Sequence, residues 1–154
     1  IGKFLDEFLT QEELMSDHLL PFANIMYEHS DRDDAAAAAV LHGVLNRVLW
    51  NQIVQNPNIK YFLFEELCAD PIHRFKSIFK DFNLPYSALT LDRHKNLCFR
   101  NVAPIESYHP HAIARNSRSM ASNWKYQLSY SDIGRVKNIW REFEIPLYAD
   151  ESFW

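Results

Sequence analysis

Arg115, Asn116, Ser117 and Arg118, with Trp124 and Lys125 a few residues on, are the side chains of this chain best suited to chemistry, and what they suit is holding a phosphate. Two arginines offer planar forks of N–H donors. The short amide and hydroxyl groups around them leave room for close approach. From Ser107 to Ser131 there is no carboxylate to compete for them. The segment from Arg93 to Ser131 holds six Lys or Arg residues against Glu106 alone, a charge of +5 in a chain whose net charge is −4, so the remainder carries −9. Positive charge gathered into one part of an acidic chain points to an anionic ligand there. The plainer reading is a solvated basic loop ahead of a helix, with Trp124 in the core.

Other chemistries find less support. Gly2, Gly43 and Gly134 are isolated, so these residues contain no glycine-rich phosphate loop or dinucleotide fingerprint. No nucleophile–His–acid arrangement stands out. His109-Pro110-His111 lacks a third metal ligand at plausible spacing, and Asp31-Arg32-Asp33-Asp34 reads as an acidic helix start, not a calcium loop. Cys68 and Cys98 are too few and too far apart in sequence for a zinc or redox pair and read as buried thiols. No apolar run approaches the roughly 20 residues of a membrane span. A composition 47% hydrophobic and 14% aromatic over 154 residues is that of a folded domain.

The elements that must position the basic segment are mostly helical. Lys3 to Leu9 predicts a short helix, and Thr10-Gln11-Glu12-Glu13 a capping box opening a second, with Leu14, Leu19, Phe22, Ile25 and Met26 buried and a kink or restart at Pro21. From Ala35 the columns Val40, Val44, Val48 and Leu41, Leu45, Leu49 predict a long helix whose broad apolar face packs on a sheet. After the turn Asn56-Pro57-Asn58, Ile59 to Phe64 reads as a strand. Asp70-Pro71 then starts a helix with Ile72, Phe75, Ile78, Phe79 and Phe82 on one face, ended by Asn83-Leu84-Pro85. Residues Tyr86 to His111 read as an irregular loop, and Ser129 to Asp132 as the cap of a last helix carrying Ile133, Val136, Ile139, Trp140 and Phe143, with Tyr148 tucked back from the tail. A strand needs partners, so the expectation is a single partial α/β domain over 1–154, its remaining strands lying upstream.

Two motifs then resemble the sulfotransferase family. Phe64-Glu65-Glu66-Leu67, Asp70-Pro71 and the helix with Ile78, Phe79, Phe82 and Leu84 are similar to its strand-to-helix signature, with Glu66 where the family usually has Asp. Arg115-Asn116-Ser117, Trp124-Lys125, Leu128 and Tyr148 are similar to its C-terminal pattern in carbohydrate sulfotransferases and bacterial relatives.

The resemblance implies the helix-rich C-terminal part of a P-loop-like parallel-sheet fold, α/β in class, and transfer of a sulfuryl group from 3′-phosphoadenosine-5′-phosphosulfate to a hydroxyl or amine of a small-molecule or carbohydrate acceptor, without a metal. Arg115, Asn116, Ser117 and Arg118 would meet the 3′-phosphate side of the nucleotide, with Trp124 and Lys125 fixing that loop to the last helix. Glu65 and Glu66 brace a corner. The family's phosphosulfate-gripping loop has no counterpart in these residues, nor has its Arg and Ser pair for the 3′-phosphate, and no catalytic residue is assigned. The compartment would be cytoplasmic for a bacterial-type enzyme, or the Golgi lumen for an anchored eukaryotic one. Two alternatives stand beside it: a helical binding module whose basic loop meets an acidic partner, and another nucleotide-dependent transferase such as a kinase. Nucleic acid is disfavoured, because its binding rests on a broader basic surface.

Overall fold

The computed structural model describes residues 1–100 and 116–154, which fall into two compact units, Ile1–Tyr61 with Leu128–Trp154, and Phe62–Gln127. In the first unit the expected short helix is α1, Gly2–Leu9. The capping box does not form: the Thr10 hydroxyl donates backward to the Glu7 carbonyl at 2.7 Å, closing α1, and Gln11 takes the cap position of α2, Glu12–Leu14. A π turn over Met15–Leu19 and a 3-10 turn over Leu20–Phe22, which holds Pro21, carry the chain into α3, Ala23–His29. Leu19, Phe22, Ile25 and Met26 are all buried, as their spacing requires.

The long helix is α4, Ala35–Gln55, begun by the Asp34 carboxylate accepting from the Ala37 N–H at 2.9 Å. Its apolar face packs on other helices, chiefly α9, Tyr130–Glu142, and α3. Val40 and Val44 are buried, whereas Leu45 and Leu49 stay 44% and 54% exposed, so half of the broad face is covered. At Gly43 the end of α9 lies directly against α4. The Phe143 ring, fully buried, lies over it and stacks on Phe22 with centroids 4.9 Å apart. Arg47 Nη1 donates to the carbonyls of Phe143 and Glu144, both at 3.2 Å, while its guanidinium sits 5.5 Å from the Phe22 ring centre. Those carbonyls end α9, where Glu144 turns the chain through φ 51°, so Arg47 satisfies acceptors the helix leaves open. The tail folds back as expected: Trp140 Nε1 donates to the Leu147 carbonyl at 2.9 Å, and Tyr148 packs edge-on against Trp140.

In the second unit the helix foreseen after Asp70-Pro71 is α6, Pro71–Asp81, with the Asp70 carboxylate accepting from the His73 N–H at 3.3 Å. It stops where expected. Asn83 adopts φ 54°, its N–H bonds to the Lys80 carbonyl and that of Leu84 to the Phe79 carbonyl, the paired closure of a Schellman turn. The stretch read as an irregular loop contains instead a helix α7, Ala88–Cys98, capped by Ser87, whose hydroxyl accepts from the Thr90 N–H at 3.1 Å. It packs on α6 through His94, whose ring lies 5.0 Å from that of Phe75. The Tyr86 hydroxyl meets His94 Nδ1 at 2.9 Å.

The parallel-sheet α/β class is contradicted. Among the described residues there is no strand, and β pairing is confined to an isolated antiparallel bridge between Phe99 and Asn116. Residues 59–63 run without regular structure, and helix α5, Phe64–Ala69, begins where the strand was expected to end. The composition of Ile59 to Phe64 suits a strand, but among the described residues no neighbouring strand takes its amides. Phe64 instead enters a helix that pairs its own backbone, with Leu63 as its extended cap. Tyr61 sets its ring edge-on to Trp50, 5.6 Å away.

Candidate functional site

The basic segment belongs to the second unit, and the boundary between units is also a boundary in charge. Residues 62–127 hold nine Lys or Arg and six Asp or Glu, +3, whereas the first unit holds seven and fourteen, −7. Within the second unit, Asn116 opens α8, Ser117–Met120, and a 3-10 turn over Asn123–Tyr126 follows. The short polar side chains expected to meet a ligand are here partly consumed by the chain. The Asn116 carboxamide oxygen accepts from the Arg118 N–H at 3.2 Å, and its carbonyl accepts from the Ser119 hydroxyl at 2.9 Å. Asn116 is thus a cap and a turn-former, with its backbone also paired to Phe99. Ser117 is half-buried at the first turn.

Arg118 is exposed, and among the described residues no carboxylate lies within ion-pair distance of it. Lys125 holds its ammonium 5.5 Å from the centre of the half-buried Trp124 ring, a cation–π placement that orients the lysine and shields one face of the indole. Arg115, together with His109 and His111, lies outside the described residues. Asn116, Ser117, Arg118, Trp124 and Lys125 therefore occupy one short run of turns.

The two motifs, about fifty residues apart in the chain, are neighbours in this unit: α5, which carries Phe64-Glu65-Glu66-Leu67, packs against α8. Glu66 reaches Arg74 on α6 at 3.3 Å and braces the α5–α6 corner. Both groups are more than two-fifths exposed, so the pair contributes little, on the order of 0–1 kcal/mol. Burial, and after it the charge of Glu65, push the Cys68 thiol up, which keeps it protonated and unreactive on the inner side of α5. Burial likewise raises the Tyr86 phenol. Both cysteines are free thiols, Cys68 buried and Cys98 half-buried. Among the described residues no group of His, Cys, Asp and Glu could hold a metal ion, and no helix is long and apolar enough to cross a membrane.

Sequence reasoning passed over Lys76 and Lys80. They lie at helical spacing with His73 and line a groove on α6 that shares no residue with the basic segment. A search for pairs i, i+3, i+4 and i+7 of one polar character would have found them.

The fold and the site together define a helical protein in two units of opposite charge, with a turn free of acidic residues on the basic one. No family model, characterised protein or solved structure matches the chain.

Proposed function

We propose that this chain serves sulfuryl transfer from 3′-phosphoadenosine-5′-phosphosulfate to a hydroxyl or amine of a small-molecule or carbohydrate acceptor, and that its part is to hold the 3′-phosphate end of the nucleotide at residues 115–118. One observation carries the reading: the two motifs that suggest it, separated in sequence, lie side by side where α5 packs on α8. An exposed Arg118 beside a turn without acidic residues gives a doubly charged phosphate monoester a forked partner. Asn116 shapes that turn, and Lys125, set over Trp124, adds charge from the next one. Sulfuryl transfer further needs positive groups at the departing oxygen and a base at the acceptor, roles to which no residue of this chain is assigned.

The test is calorimetric titration of the chain with adenosine 3′,5′-bisphosphate. Arg115→Ala and Arg118→Ala should each weaken binding by on the order of tenfold or more, since a hydrogen bond to a charged group contributes about 1.5–3 kcal/mol. Unchanged affinity in both variants removes the segment from the nucleotide site.

The helical fold favours a second reading, a binding module whose basic unit meets an acidic partner protein. Its mark would be binding of acidic peptides that falls steeply with salt, with no preference for the nucleotide.

A further inference from the structure

On α6, His73, Lys76, Ser77 and Lys80 stand at i, i+3, i+4 and i+7 and so form one stripe along the helix. Beyond Asp81 the Schellman turn at Asn83 sends the chain back, bringing Asn83, Leu84 and Tyr86 alongside that stripe. A groove of about 530 Å³ results, within the range of small-molecule sites. No carboxylate lines it.

The lining is sorted by chemistry. Lys76 and Lys80, one helical turn apart, place two ammonium groups on the same edge, and among the described residues neither is in an ion pair. Arg74, by contrast, is taken up by Glu66. A cation near a helix C-terminus gains from the helix dipole, which accounts for Lys80. It does not account for Lys76 and His73 in earlier turns, nor for two like charges set at a spacing where they repel. Ser77 and Asn83 add a hydroxyl and a carboxamide.

Leu84 and Tyr86 form the apolar side. Tyr86 is a fixed wall: its hydroxyl is bonded to His94 Nδ1, and its ring stands edge-on to Phe79 with centroids 5.2 Å apart and planes at 89°. A ligand with an anionic ester head of several free oxygens and a flat or ring-shaped body matches this lining, head to the lysines and body to Leu84 and Tyr86.

We propose that the α6 groove is a binding site for a phosphate or sulfate monoester carried on a ring, with Lys76 and Lys80 holding the ester oxygens. The proposal stands on the groove alone, whatever residues 115–118 bind. Two sources of this chemistry, a phosphate ester and a sulfate ester, are separated by using one probe of each.

The experiment titrates the full chain with 4-nitrophenyl phosphate, 4-nitrophenyl sulfate and inorganic sulfate, followed by amide chemical shifts, beside Lys76→Ala/Lys80→Ala and Leu84→Ser variants. All three substitutions are at exposed positions, and circular dichroism checks that each variant keeps its helices. One or both aryl esters should shift amides of α6 and residues 83–86. Loss of both lysines should weaken that binding by roughly tenfold or more. Inorganic sulfate should bind more weakly than the better aryl ester, and Leu84→Ser should narrow that gap. The stronger of the two aryl esters names the source. Shifts confined to other residues, affinity unaltered in the double-lysine variant, or no binding of either aryl ester would each overturn the proposal.

Discussion

Gly43→Ala should destabilise the first unit, although by helix propensity alone it should stabilise it. Alanine in a helix interior is favoured over glycine by about 1 kcal/mol. A Cβ at position 43 would, however, lie 2.2 Å from both Cδ2 and Cε2 of Phe143 and 2.7 Å from its Cγ. Carbon atoms rest about 3.5–4.0 Å apart, so the ring would have to move by more than about 1 Å. Phe143 has no free direction. It is fully buried, stacked on Phe22 at 4.9 Å, and its carbonyl is tied to Arg47. Forcing extra volume into such a contact costs about 1–3 kcal/mol, toward the upper end here because the ring cannot swing out, which leaves a net loss of about 1–2 kcal/mol. In a chain of this length that is a melting temperature lower by roughly 2–8 °C. Urea denaturation of Gly43→Ala, Phe143→Leu and the double variant isolates the contact. In the Phe143→Leu background the alanine should cost at least about 1 kcal/mol less than in the native one, since neighbours that clash couple. A stabilised Gly43→Ala, or two effects that simply add, would refute the placement of Phe143 over α4.

Asp34 should give the first unit a component of pH dependence. The Ala37 N–H holds its carboxyl below the usual carboxylate range, so the stabilisation is complete above that range and is lost as pH falls through the lowered value. Asp34→Asn, which caps without titrating, should flatten that part of the acid limb in a urea-midpoint series, and an unaltered limb would count against the cap. Amide hydrogen exchange should be slowest in α4 and α9 and faster throughout α5 to α8, because the cluster of buried side chains belongs entirely to the first unit. Equal protection in both units would contradict that distribution.

What the sequence disclosed depended on whether a signal was local. The Asp70-Pro71 start and Asn83 stop of α6, the Asp34 cap of α4 and the Ser129 cap of α9 are each written within a few residues and appear where expected. Helix α7 was missed because its inward face is built on His94, with Leu91 and Cys98 half-buried beside it, while Leu89 and Leu97 are exposed, so its leucines do not trace the buried stripe. Ser87 was nevertheless a legible cap. Thr10 shows the ambiguity of capping boxes: its hydroxyl can close the helix behind as readily as open the one ahead. Ile59 to Phe64 failed for the opposite reason, since a strand is fixed by its neighbours and none was in view. Of the basic segment, the composition and the absence of acids were readable. That Asn116 would spend its side chain on a cap, and that α5 would pack beside it, depended on contacts distant in sequence.

The first unit is assembled from two separated stretches, with the 66 residues of the second unit strung between them. During synthesis Val40 and Val44 therefore emerge about a hundred residues before Ile139, Phe143 and Ile145, which cover them. At roughly 5–20 residues per second the apolar face of α4 waits some 5–20 s for its lid, long enough for a chaperone to matter. Bringing the two stretches together across a flexible loop of that length costs about 4 kcal/mol of chain entropy. If the intervening residues collapse first, the effective loop shortens and part of that cost is met before docking. The slow event in folding is then the arrival and docking of α9, and an early stop codon anywhere between α4 and Phe143 leaves a chain with its central helix uncovered.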